Sequence, residues 1–403
     1  MKKKKKWIKY RHRVVTRIAC ALLTPYSKWK YGIKAEPFKE QGDRAYLILL
    51  NHQTPFDQFF VGMSFKGAVY YVATEDIFSK GIVSSLIRYL VAPISIKKQT
   101  TDVNAVLNCM RVAREGGTIA IAPEGNRTYS GKTEYMSPSV AALAKRLRLP
   151  IALYRIEGGY GVQPRWSDGV RKGKMRSYVS RVIEPEEYGE LSEEELFSII
   201  QKELYVNEGT ESGLFKSKKK AEYLERAMYV CPFCGLAEFE SGGNVIICKK
   251  CGRETEYGED KKLRGKGFDF PFSYVTEWYD YQNNYVLSLD CTKDTKTFLY
   301  QDRGSVFEVV PNKKKNLIDK NATLKLYGDK VTVDEGTEKT MLFPFEKVTS
   351  MAVLGRNKLN IYYDGKIYQI RGNKRFNALK YVNLYYRYQN ILRGETDGKF
   401  LGL

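Results

Sequence analysis

No run of apolar residues approaches the roughly 18 to 20 needed to span a bilayer, so a membrane-spanning chain is not expected. No G-x-S-x-G stretch occurs, which removes the serine-nucleophile reading of an α/β hydrolase. No acid precedes Glu36. Cysteine is sparse and unevenly spread: of seven, Cys20, Cys109 and Cys291 are scattered and the other four fall in two C-x-x-C pairs. That pattern excludes a disulfide scaffold and fits a reducing compartment, by default the cytoplasm, with one metal site. Scarcest of all is histidine, with two residues in 403, so any imidazole chemistry rests on His12 or His52.

What is abundant is positive charge. Lys and Arg number 67 against 46 acids, a net charge of +21, which points to anionic partners: a membrane surface, nucleic acid, or an acidic substrate or carrier. A chain of 403 residues exceeds the size at which a single core keeps growing, so two or three domains are expected. The start, "MKKKKKWIKYRHRVVTRIACALLTPYSKWK", has five consecutive lysines. It resembles a secretion signal, but Arg17 interrupts the apolar stretch and no small-residue cleavage site follows. Trp7, Ile8, Val14, Val15, Ile18, Leu22, Tyr26 and Trp29 recur at helical steps with Lys9, Arg13 and Arg17 opposite, an amphipathic helix suited to an anionic membrane surface. Pro25 is expected to kink or end it.

From residue 35 to about 210, short apolar runs alternate with helical patterns. "AYLILL", "AVYYVAT", "APISI", "TIAIAP" and "IALYRI" read as buried strands, and the segments between them as helices, one capped near Asp102. Such alternation predicts an α/β fold with a mostly parallel sheet flanked by helices. Functional residues should then lie on loops past the carboxyl ends of the strands. Three such loops carry chemistry: Asn51-His52 through Asp57, Lys97-Lys98, and Glu124-Gly125-Asn126-Arg127. Cys109, among Val106, Leu107 and Met110, reads as core. The stripe Ile82, Val83, Leu86, Ile87 and Leu90 reads as core or as the lining of an acyl groove.

His52-x4-Asp57, then "PEGNR", then "LPIALY" stand in the order and spacing of the glycerolipid acyltransferases, and over roughly residues 40 to 205 the chain resembles the bacterial 1-acylglycerol-3-phosphate acyltransferases. The resemblance implies transfer of a fatty acyl group from a thioester donor, acyl-CoA or acyl carrier protein, to the hydroxyl of lysophosphatidic acid or a related lysophospholipid. It implies that His52 is general base with Asp57 orienting it, that Arg127 holds the acceptor phosphate, and that Glu124, Gly125, Lys98 and Lys97 complete the substrate site. Lys98, Ala122 and Asn126 depart from the family's usual residues and bear on substrate preference. The residues suit the reaction: imidazole is the one side chain that unperturbed exchanges protons near pH 7, and a guanidinium grips phosphate with two parallel hydrogen bonds.

Cys231-x2-Cys234 and Cys248-x2-Cys251, thirteen residues apart and each followed by glycine, form two knuckles whose thiolates can surround one tetrahedral ion. They resemble a zinc ribbon with structural Zn²⁺. Beyond residue 265, alternating β-rich segments, an Asp364-Gly365 hairpin turn and one closing helix, Arg375 to Leu392 behind Asn373, resemble a small pleckstrin-homology-like (PH-like) β-barrel. The expected domains are 1–34, a membrane-surface helix; 35–226, the acyltransferase; 227–260, the ribbon; and 265–403, the barrel. The enzyme is expected at the cytoplasmic face of the cell membrane as a peripheral protein. The competing reading, a zinc-ribbon protein binding nucleic acid through its positive charge and thirty tyrosines, leaves the His52 and Arg127 loops without a purpose. A lipid-surface scaffold that has lost activity is disfavoured by the intact His52 and Asp57.

Overall fold

The computed structural model describes residues 6–74, 82–96, 102–293, 295–310, 315–396 and 400. Lys97 and Lys98 lie outside them, as does all of the lysine run but Lys6. Two compact units divide the chain: Met1–Pro164 with Val170–Phe215, and Arg165–Gly169 with Lys216–Leu403.

In the first unit, strands β1 (Ile33–Ala35), β2 (Leu47–Leu50), β3 (Val69–Thr74), β4 (Ile94–Ile96), β5 (Thr118–Ile121), β6 (Ile151–Glu157) and β7 (Met175–Ile183) make one sheet in the order β1-β7-β6-β2-β5-β3-β4. All neighbours are parallel except β6 and β7. The mostly parallel sheet is as the alternation predicts. Its central strand shows why: in the unbroken apolar run of β2, Leu47 and Leu49 enter one hydrophobic cluster while Ile48 and Leu50 enter another, so both faces are covered. Each such side chain contributes roughly 1.5–3 kcal/mol by leaving water. β1 and β7 were not expected, because β1 is three residues long and β7 carries Arg176, Ser177, Ser180 and Arg181 among its apolar positions.

The flanking helices are α1 (Tyr10–Tyr31), α2 (Asp57–Ser64), α3 (Ile82–Val91), α4 (Val103–Arg114), α5 (Ser139–Leu147), the short α6 (Gly159–Val162) and α7 (Pro185–Gly189), and α8 (Glu193–Leu204). The Asp102 side chain accepts the Ala105 N–H at the start of α4, the expected cap. Cys109 is buried in the core as expected, and burial pushes its thiol up to about 12. α1 does not end at Pro25, which lies inside it, but continues to Tyr31 and stops at Gly32, whose left-handed backbone caps it. Packing holds the last turns: Tyr31 is buried against Phe56 and Phe60. The other histidine, His12, is buried in α1 with Nδ1 3.0 Å from the Tyr70 hydroxyl, a structural role.

In the second unit, β8 (Val230–Cys231) and β9 (Gly235–Leu236) pair beside the sheet β10 (Phe239–Gly242), β11 (Val245–Cys248), β12 (Glu254–Tyr257) and β13 (Leu263–Gly265). Helix α9 (Val275–Ser288) follows, unforeseen because its sequence is rich in tyrosine and weakly amphipathic. Then come β14 (Tyr300–Glu308), β15 (Asn316–Leu326), β16 (Lys330–Val333), β17 (Met341–Pro344), β18 (Val348–Leu354), β19 (Lys358–Tyr363) and β20 (Lys366–Gly372), ending in α10 (Leu379–Leu392). These seven strands form one antiparallel, nearly closed barrel-like sheet in the order β17-β16-β15-β14-β20-β19-β18. Asp364 and Gly365 make the predicted turn, both with positive φ as a type I′ hairpin requires. The closing helix starts at Leu379 rather than Arg375, because Asn373 caps only a bend, accepting from the Arg375 N–H, while Asn377 accepts from Lys380.

The segment leading into the first cysteine knuckle is tied down from several sides. Gln282 of α9 accepts from the Tyr229 and Val230 N–H groups and donates to the Ala227 carbonyl. The Trp278 indole donates to the Val230 carbonyl, and the Tyr300 hydroxyl of the barrel donates to that of Tyr229.

Candidate active site

β2 ends at Leu50, and the chain leaves the sheet through the loop Asn51 to Phe56 into α2. Asp57, the first residue of α2, is buried at 1% exposure and draws the loop around itself. Its Oδ1 accepts from the Thr54 N–H at 2.8 Å and the Thr54 hydroxyl at 2.7 Å. Its Oδ2 accepts from the Gln53 N–H at 2.7 Å and meets His52 Nδ1 at 2.7 Å. An ionised carboxylate only accepts, so Nδ1 carries the ring proton and Nε2 presents its lone pair. The His52 side chain is 29% exposed and so remains reachable. The five-residue spacing thus brings acid and imidazole together as predicted.

The second loop follows β5. Glu124 Oε1 accepts the backbone N–H of His52 at 2.8 Å, a direct bond between the two motif loops. The residue as a whole is half-buried, but its carboxyl group is enclosed by protein. Burial pushes its pKa up to about 8; the His52 N–H pulls it down, and the charges of Asp57 and Glu134 add to the rise. Gly125 is exposed, with φ +70 and no neighbour within 4 Å of an added Cβ, so glycine serves the left-handed turn there rather than relieving crowding. Arg127, three residues beyond Glu124, is half-buried on the same loop.

A third loop closes the arrangement from behind. At Gly159, at the start of α6 after β6, an added Cβ would come within 2.4 Å of Gln53 Cβ and 3.3 Å of Thr54 Cγ2, so only glycine permits this approach. The structure therefore joins His52, Asp57 and Glu124 and sets Arg127 on the loop that bonds to His52. Two supporting residues escaped sequence reasoning. Thr54-Pro55-Phe56-Asp57 has the form of a capping box, which could have revealed Thr54. Asn51 reads in sequence only as the first residue of the loop; its burial, with its carboxamide on Ile156, was not foreseen.

In the second unit, the Sγ atoms of Cys231, Cys234, Cys248 and Cys251 all lie within 4.8 Å of one another, a separation that suits four ligands of one tetrahedral ion. Cys231 and Cys248 are buried and the other two half-buried.

Residues 33–156, the stretch holding His52, Asp57, Glu124 and Arg127, match the Acyltransferase family model. No curated protein matches the chain. Among solved structures, the 1-acyl-sn-glycerophosphate (LPA) acyltransferase PlsC from Thermotoga maritima is similar, with 21% identity over 47% of this chain and 77% of that one and a TM-score of 0.41. The first unit carries an acyltransferase-family domain, in agreement with the motifs.

Proposed function

We propose that the chain transfers a fatty acyl group from a thioester donor, acyl-CoA or acyl carrier protein, to the free hydroxyl of lysophosphatidic acid or a close relative, in phospholipid biosynthesis. The observation that carries this is the pairing of His52 Nδ1 with Asp57 at 2.7 Å, which leaves Nε2 as an accessible base. In the reaction, Nε2 accepts the acceptor's hydroxyl proton as its oxygen attacks the thioester carbon. The C–O bond forms, the C–S bond breaks, and the imidazolium returns the proton to the departing thiolate. Asp57 fixes the tautomer and stabilises the imidazolium without itself taking the proton. Arg127 binds the acceptor phosphate, and Glu124 holds the two loops in register.

Acceptor and product are membrane lipids, and the first unit has a face for them. α1 and α3 pack side by side, the Arg11 guanidinium 4.0 Å from the Tyr89 ring and bonded to the Tyr89 carbonyl. Both leave apolar side chains outside: Leu22 is 71% exposed, Trp29 78% and Ile82 89%. Among the described residues no helix is long and apolar enough to cross a membrane. This face rests on the anionic inner leaflet of the cell membrane as a peripheral contact, with Lys28 and Lys30 in the last turn of α1 adding positive charge. The stripe of α3, read in sequence as core or groove lining, is thus given to lipid. The four-cysteine site holds structural Zn²⁺, the ion that four thiolates at this spacing favour.

The test is a transfer assay with radiolabelled lysophosphatidic acid and both donors, wild type beside His52→Ala. The variant is expected to lose roughly 10²–10⁴ in kcat. Equal product from both proteins overturns the mechanism.

A further inference from the structure

We propose that Asn51 is a positioning residue for the transfer, its carboxamide standing in for a strand peptide so that the His52 backbone is released to Glu124 and the imidazole is aimed at Asp57. The inference rests on the acyl-transfer reading for its kinetic part only. β2 pairs with β6 up to Leu50 opposite Tyr154, then departs while β6 continues to Glu157. Departure would strand the next inward-facing main-chain groups of β6, and buried peptide groups without partners are costly. Asn51, fully buried, supplies both partners: its Nδ2 donates to the Ile156 carbonyl at 2.8 Å, and its Oδ1 accepts the Ile156 N–H at 2.7 Å. A primary carboxamide is the side chain closest to a peptide group, with one acceptor and one donor in a plane.

The consequence falls on the next residue. Because a side chain fills the ladder, the main chain from His52 onward turns out of it. The His52 N–H then reaches Glu124 Oε1, while those of Gln53 and Thr54 reach Asp57. Aspartate at 51 would offer no donor to Ile156, leucine neither donor nor acceptor, and glutamine would carry its amide one methylene too far. Asn51 touches no reacting atom; it acts through the backbone that carries the base.

The experiment uses full-length Asn51→Asp and Asn51→Leu with two readouts. With two histidines in the chain, ¹⁵N-histidine spectra of the neutral ring are readily assigned with the help of His12→Gln. In wild type His52 is expected as the Nδ1–H tautomer; in the variants the Nε2–H form should appear, as a merely stabilising residue would not cause. The kcat for acyl transfer should fall about a hundredfold, the scale of a small misplacement, with the acceptor KM changed by no more than about twofold. Folding of each variant is checked by circular dichroism, and Asn51→Ser replaces any that fails. A folded variant with wild-type tautomer and kcat overturns the proposal. Wild type showing the tautomer but no transfer overturns the enzymatic reading instead, and the tautomer comparison still decides the role of Asn51.

Discussion

Asp57 and the four cysteines are both crowded polar constellations on tight turns, and they are completed in opposite ways. Asp57 is buried yet finds its hydrogen-bond partners within six residues of chain: Thr54 twice, Gln53 and His52. The thiols have mainly each other, Cys231 and Cys251 standing 3.9 Å apart, and burial pushes Cys231 and Cys234 up from the ordinary thiol range. At Cys251 burial acts the same way but is outweighed by hydrogen bonds from Arg253 and its fellow thiols, which bring it down to about 6. A loop that satisfies its own carboxylate is ready for chemistry when folded; a nest of thiols at this spacing would be completed by the dication proposed for it. The first should degrade by degrees under mutation, the second all at once.

The largest effect is therefore expected at the metal. Structural zinc binds such knuckles with an apparent free energy of about 10–16 kcal/mol, which becomes folding free energy. Cys231→Ser with Cys248→Ser should abolish stoichiometric zinc and alter the fluorescence of Trp278, which bonds to Val230 beside Cys231. Zinc-free protein with the wild-type melting curve would erase the contrast. Next is Asp57→Asn, in which an amide donor meets N–H groups that need an acceptor. Transfer should drop by roughly 10²–10⁴ in kcat, and stability by about 1–3 kcal/mol. Unchanged kcat in this folded variant would show that His52 does not depend on its neighbour for orientation.

Glu124 sharpens the comparison from the side of pH. Its pKa is about 8 in the folded protein against an ordinary 4.5. Between those values the folded state holds a proton that the unfolded state has lost, so this group's contribution to stability is present at low pH and is lost as pH rises through about 8. Glu124→Gln keeps an acceptor for the His52 N–H and carries no charge. Melting temperatures of the variant and wild type should agree near pH 5 and diverge by pH 9, with the variant the more stable. Parallel curves across that range would mean that the carboxyl is not held neutral.

What the sequence disclosed follows from how locally each feature is determined. His52 with Asp57, and the two C-x-x-C pairs, are fixed by spacing along a few residues, and the structure closes both. The strands of the first sheet were legible because burial on both faces leaves unbroken apolar runs such as "LILL" in β2. β7 was not, since polar residues, Arg176 and Arg181 among them, interleave with its apolar ones. The role of Asn51 was illegible for a different reason: its partner, Ile156, lies 105 residues away, and only the topology that sets β6 beside β2 shows what the carboxamide does. Helix α9 fell between these cases, held by long-range bonds to the knuckle segment more than by its own periodicity.

The smallest predicted effect tests the graded half of the comparison most directly. Thr54 is fully buried and does three things: its hydroxyl donates to Asp57 Oδ1 at 2.7 Å and accepts the Phe56 N–H at 3.1 Å, while its methyl faces Gly159. Thr54→Val keeps the shape and removes only the hydroxyl, and Thr54→Ser keeps the hydroxyl and removes only the methyl. Asp57 retains the Thr54 and Gln53 N–H groups in either variant. Valine should cost about 1–2 kcal/mol in chemical denaturation, and serine about 1 kcal/mol or less. Both should still turn over substrate, within roughly tenfold of wild type, since His52 keeps its partner. One donor lost among several leaves a working site, whereas one thiol lost among four leaves no tetrahedral ligand set. If Thr54→Val is instead as inactive as His52→Ala, the carboxylate's hydrogen bonds act as a single unit, and the two constellations fail in the same way.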